Sequence, residues 1–177
     1  MNIFSLVKLL EIPANVLYES LVVTVVLVVL TLFYKRAKNN KKMILWILLI
    51  EYAFIVLSST VIFRSALTES KVVAMPFWIY IEVYKGNPAV TPLDILNNLM
   101  LLFPMGLLLA GIYPNLKWGR VFLIGLVFSF GIEILQYVYQ KGVAQLDDLG
   151  HNTIGCMVGW YIGKRLIMIK SQQTSRN

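Results

Sequence analysis

The sequence is short of the residues that usually carry catalysis and cross-linking. Cys156 is its only cysteine and His151 its only histidine in 177 residues. A lone cysteine excludes an intrachain disulfide, and without a cysteine pair a Cys/His metal site is not expected. No Walker A loop, Rossmann glycine pattern or His-Glu-x-x-His pair occurs, so no cofactor is expected. Charge is scarce as well, at 14%. No cleavable signal peptide is expected. The first apolar run is long, has only Lys8 before it on its basic side, and is followed by a strong basic cluster.

What the chain does have is apolar length. Hydrophobic residues make up 58%, and mean hydropathy is +0.73. Soluble domains hold about 45–50% apolar residues, so the composition reads as one polytopic membrane domain. The net charge of +7 would suggest nucleic acid in another context. Here the basic residues flank apolar runs, where topology explains them better, and no nucleic-acid partner is expected.

The expected fold class is all-α: a transmembrane helical bundle of five spans, N-terminus out and C-terminus in. Residues 1–16 form an N-terminal interfacial segment. Residues 17–42 hold the first span (17–34) and a basic loop with Lys35, Arg36, Lys38, Lys41 and Lys42. That acid-free loop is the strongest topology signal and argues for the cytoplasm. Residues 43–169 form a four-helix transmembrane domain with spans at 43–63, 93–113, 119–139 and 151–169. Each is of the length a membrane helix needs. Residues 170–177 are a cytoplasmic tail. Eleven of the sixteen Lys and Arg fall on the proposed inner side, as an alternating topology requires. Within the external segment 65–92, the run from Met75 to Tyr84 is too short to span and rich in aromatics. It reads as an interfacial connector or as a lid. Pro104 with Gly106 predicts a kink in the third span.

Polar residues collect at one depth of this scheme. Glu133, Gln136 and Gln140 fall on one helical stripe. A short polar turn ends in Asp147 and Asp148. Asp148, Asn152, Gly155 and Gly159 share a stripe that Gly163 continues. Asp94, Asn97 and Asn98 open the third span on one face, and Arg64 closes the second. A charge at mid-bilayer costs about 2.5–3.5 kcal/mol on insertion scales, so a carboxylate such as Glu133 is by default a functional-site hypothesis. The plainer alternative is a packed helical hairpin with a polar end. In that case Gly155, Gly159 and Gly163 serve close helix packing, expected against the fourth span because the connection is short. Arg64 is then an interfacial anchor. Glu51, in the second span, is read as a packing or protonated carboxyl, or, in a transporter, as a relay partner of Glu133.

Three stretches carry a family resemblance: Ser129 to Gln136 (SFGIEILQ), Asp148 to Gly155 (DLGHNTIG) and Asn97 to Gly106 (NNLMLLFPMG). With Met75-Pro76-Phe77 and Thr60 to Arg64 as weaker upstream signatures, the chain resembles the VanZ-like membrane proteins over roughly residues 45–168. Where that family has a loop arginine, this chain offers only Lys141. The resemblance implies a multi-pass protein of the bacterial cell membrane, of Gram-positive type. It also implies a link to resistance against teicoplanin and related lipoglycopeptides. The expected role is a non-catalytic accessory protein. It would bind a lipid-linked cell-wall component or a lipidated drug among membrane lipids, through Arg64, Asp94, Asn97, Asn98, Glu133, Gln136, Asp147, Asp148 and Asn152. One alternative is an intramembrane enzyme acting on a lipid headgroup, with Glu133 as acid or base and Asp148 as its partner. A second is a small transporter.

Overall fold

The computed structural model describes residues 40–174. The expected first span, 17–34, and the N-terminal segment lie outside the described residues. Helix α1 (Asn40–Leu57) passes into a π-helical turn, Ser58–Ile62. The local cause is visible. Ser59 Oγ and Thr60 Oγ1 both donate to the Val56 carbonyl, at 3.1 and 2.7 Å. That competes with the regular backbone bond and favours the wider turn, in which Phe63 N–H reaches Ser58 O at 2.9 Å.

After β1 (Lys71–Val73) and the short helix α2 (Trp78–Tyr84) comes α3 (Pro92–Ile112). Thr91 and Asp94 start it as a capping box, and Pro92 occupies a first-turn position whose N–H would be unpaired anyway. The helix continues through Pro104. Helix α4 (Trp118–Val138), β2 (Val143–Gln145) and α5 (Leu146–Thr174) complete the order. Helix α5 begins five residues before the expected 151. Asp147 and Asp148 therefore lie in its first turn, where the helix dipole favours acids.

Two expectations need correction. The architecture is mostly helical, yet β1 and β2 pair in parallel, with Lys71, Val72 and Val73 opposite Val143, Ala144 and Gln145. The glycine stripe of α5 faces α3, not α4. A Cβ on Gly155 would lie 1.8 Å from Leu99 O, and one on Gly159 2.0 Å from Phe103 O. Gly106 answers from α3, where a Cβ would lie 2.0 Å from Cys156 O. Backbones approach this closely only where side chains are missing. On its other side α5 meets α4, with Gly125 against Thr153 and Cys156. Helix α5 is thus the central helix of the described bundle. Leu102, Val121, Ile132, Cys156 and Trp160 are almost wholly buried in the core.

Among the described residues, three helices are long and apolar enough to cross a membrane: Lys41–Ile62, Pro92–Ile112 and Trp118–Val138. Their outward surface is apolar, with Phe122, Leu123, Val127, Phe130 and Ile134 exposed along α4. Such a surface suits lipid as the solvent.

Candidate functional site

The polar groups meet where α4 ends and where α3 and α5 begin. Ser129, Glu133 and Gln136 are all buried on one face of α4. Helix α5 presents Asp148 and, one turn on, Asn152, which is 1% exposed. The two faces are tied directly, since Asn152 Nδ2 donates to Ser129 Oγ at 3.0 Å. From α3, Asn98 Nδ2 donates to Asp148 Oδ1 at 2.5 Å. Gln136 Nε2 donates to Thr60 O at 3.2 Å and ties α4 to the π-helical turn.

Glu133 is held by backbone. Its Oε2 accepts the Gln145 N–H at 2.8 Å, so β2 is bonded to the carboxylate on one side and to β1 on the other. The segment before β1 runs along the end of α4, with Leu67 N–H on Gln140 O and Ser70 Oγ on Tyr137 O.

Asp147 does a different task. Its two oxygens accept the N–H groups of Phe77 and Ile79, at 2.7 and 2.9 Å. Phe77 has φ 61°, a left-handed conformation costly for a bulky residue, and the carboxylate holds it there. Tyr80 adds a second tie, with its hydroxyl 2.7 Å from His151 Nε2. At the far end of α2, hydrogen bonds from Asn87 and Lys85 hold the Glu82 carboxyl below the usual carboxylate range. The 75–84 run therefore packs over the polar end, while Phe77 and Tyr84 remain exposed.

The described structure sorts the expected site residues. Glu133, Gln136, Asp148, Asn152 and Asn98 converge. Asp147 anchors α2, and Asp94 caps α3. Asn97 is exposed. Gln140 leaves the stripe, because α4 ends at Val138 and Gln140 turns back with φ 56°. Arg64 is exposed. Its guanidinium lies over Gly142, where a Cβ would come within 3.0 Å of Nη1, and its carbonyl accepts Lys141 Nζ at 2.8 Å. The Arg64 charge acts on both Glu133 and Asp148. Among the described residues, however, the one ion pair within 4.0 Å is Lys85–Glu82.

Sequence reasoning missed Ser129, Gln145 and the Tyr80–His151 pair. Ser129 was legible, being one turn before Glu133 on the same stripe. Gln145 contributes through its backbone, which leaves no side-chain signature.

Unused hydrogen-bonding capacity remains here. Asn152 Oδ1 and Gln145 Oε1 are buried without partners among the described residues. Such groups are costly unless satisfied. Among the described residues no group of three His, Cys, Asp or Glu is placed to hold a metal ion.

Comparison with protein families matches the VanZ/LLP1 model to residues 20–168, which takes in every residue of this cluster. Comparison with curated proteins and with solved structures gives no match.

Proposed function

The chain belongs to the VanZ/LLP1 family, and from that premise we propose that it is a non-catalytic accessory protein of the bacterial cell membrane. In this reading it binds a lipid-linked cell-wall component or a lipidated glycopeptide drug, and so contributes to tolerance of teicoplanin-type lipoglycopeptides. The binding site is the cluster of Glu133, Asp148, Asn98, Gln136 and Asn152, opening to the outer face. Arg64 stands at its rim. The chain crosses the membrane five times, with 17–34 as the first span, 151–169 as the fifth, and the N-terminus outside.

The observation that carries this reading is the meeting of Glu133 and Asp148 from two different helices beside the buried, unpartnered Asn152 Oδ1. A purely structural polar end would use its hydrogen bonds up internally. Topology supports the outward placement. The basic loop 35–42 favours a cytoplasmic start of α1, and alternation would then carry the polar end outside. Helix α5 supports a further span through its exposed apolar face of Ile154, Val158, Tyr161 and Ile162.

The test uses purified protein in lipid nanodiscs. Teicoplanin and a lipid-linked cell-wall precursor are titrated separately, while binding and chemical turnover are followed together. Saturable binding without turnover, weakened in Glu133→Gln, supports the proposal. Turnover that disappears in Glu133→Gln would replace it with the enzyme reading. No binding of either ligand would sink it.

A further inference from the structure

The buried atoms of the cluster that lack any partner among the described residues are acceptors. Three of its side-chain amides each spend one N–H internally: Asn98 Nδ2 on Asp148, Asn152 Nδ2 on Ser129, and Gln136 Nε2 on Thr60 O. Glu133 uses Oε2 on Gln145 N–H, and Asp148 uses Oδ1 on Asn98. Each carboxylate keeps a second oxygen. Asn152 Oδ1 and Gln145 Oε1 add two buried acceptors without partners.

Asn152 is the observation that takes this beyond a cluster of acids. It lies one turn along α5 from Asp148 and is bonded to Ser129, itself one turn along α4 from Glu133. Its amide is therefore buried one turn deeper than both carboxylates, on the same two helix faces. A buried amide oxygen with no donor calls for one from outside the protein.

Charge points the same way. The Asp148 charge acts on Glu133, and Asp147 and Asp94 act on Asp148. Arg64 is the nearby cation that acts on both Glu133 and Asp148, yet it lies beyond 4.0 Å from either carboxylate. The Lys141 ammonium is engaged with the Arg64 carbonyl. A site with several open acceptors and an excess of acid favours a ligand that is cationic and carries N–H donors.

We infer that the cluster of Glu133, Asp148 and Asn152 recognises a protonated primary amine on the head of a membrane-borne molecule, with Arg64 at the rim placed to meet an anionic group beside it. This rests on the proposed function and narrows it to the chemical class of the head. A primary ammonium supplies three donors. These match the free oxygens of Glu133 and Asp148 and the Asn152 carbonyl. A quaternary ammonium has the charge but no donors, and a glycerol head has donors but no positive charge.

Three short-chain phospholipids separate these terms, since all share the phosphate: dihexanoyl phosphatidylethanolamine, phosphatidylcholine and phosphatidylglycerol. Their affinity for the full chain in mild detergent is measured by native mass spectrometry, and the thermal shift each produces is recorded alongside. The ethanolamine lipid is expected to bind about tenfold tighter than either of the others, the advantage of charge-assisted hydrogen bonds. Glu133→Gln and Asp148→Asn should remove that preference while keeping the melting transition of the free protein. If either variant fails to fold, the comparison of the three lipids on the unaltered chain decides alone. Equal binding of all three, tighter binding of the glycerol lipid, or choline matching ethanolamine would each overturn the inference. Teicoplanin and the lipid-linked precursor are run in the same format. Glu133-dependent binding of either without an amine preference would leave the proposed function standing and remove this inference. An amine preference with neither ligand bound would do the reverse.

Discussion

Gly155 lies against the backbone of Leu99 so closely that a Cβ would sit 1.8 Å from the Leu99 carbonyl oxygen. This contact fixes the height of α5 against α3. It thereby sets where Asp148, two turns earlier on α5, meets Asn98, one residue before Leu99 on α3. The packing stripe and the polar cluster are parts of one arrangement, because the close approach below delivers the hydrogen bond above.

The first prediction follows from that approach. Gly155→Ala and Gly159→Ala should each destabilise the protein by about 1–3 kcal/mol or more, the usual scale for overpacking a tight contact. Both new methyl groups would meet backbone rather than a flexible side chain. Gly131→Ala is the control, since nothing lies within 4 Å of its Cβ position. Thermal unfolding in detergent reads the difference. Equal melting of all three variants would mean that α3 and α5 do not pack as described.

How much of this was legible in the sequence varies by element. Hydropathy and length placed the helices at 43–63, 93–113 and 119–139 within a few residues, because membrane-length apolar runs have few other uses. The start of α5 was set too late. Asp147 and Asp148 read as a polar turn, although acids are also what a helix N-terminus favours. The partner of the glycine stripe was assigned by loop length, which pointed to α4. The better signal was Gly106, a small residue in α3 that answers the stripe, and it had been attributed to a kink. The β1–β2 pair left no trace. Each strand is three residues long, and their pairing joins segments some seventy residues apart, which no local pattern encodes.

Glu133, Gln136, Asp148, Asn152 and Asn98 lie together in the structure, as expected when polar groups in apolar helices face one another. The same spacing grouped Asp94, Asn97 and Asp147 with them. Spacing shows a shared face. It does not show that Asp94 is spent on Thr91 or that Asp147 is spent on Phe77 and Ile79.

Asp147 yields the second prediction. Asp147→Ala removes both acceptors that hold the start of α2 and releases the left-handed Phe77. Hydrogen exchange at Phe77 and Ile79 should rise by at least about tenfold, as expected for losing charge-assisted bonds of about 1.5–3 kcal/mol. Exchange in the middle of α3 should stay as it was. Unchanged exchange at 77–79 would mean that Tyr80 and His151 hold the segment without Asp147.

Topology gives the third prediction. Cysteines placed singly at Asn39 and Gln173 should be shielded from a membrane-impermeant thiol reagent in intact cells, and one at Asn87 should react. Cys156 is fully buried and supplies no background. Labelling at Asn39 with none at Asn87 would invert the orientation and put the polar cluster inside.

Ser129 gives the fourth. Ser129→Ala leaves the Asn152 amide without its acceptor in a buried position. The expected cost is about 1–3 kcal/mol of stability. Ser129→Thr, which keeps the hydroxyl, should recover part of it if the added methyl is accommodated. Thermal unfolding checks both, and an unaffected Ser129→Ala protein would detach Asn152 from α4.

The central claim is that the cluster around Glu133 and Asp148 works on a ligand and does more than hold helices together. An amide keeps much of the hydrogen bonding of a carboxylate at nearly the same volume, so Glu133→Gln and Asp148→Asn separate the two roles. The most direct measurement is teicoplanin tolerance of a sensitive host expressing each variant, with membrane levels of the protein quantified in the same cells. The account predicts that the unaltered chain confers tolerance and that both variants accumulate normally but lose it, while Glu51→Gln, altered at a buried carboxyl elsewhere in α1, retains it. Tolerance kept in both cluster variants and lost in Glu51→Gln would contradict it.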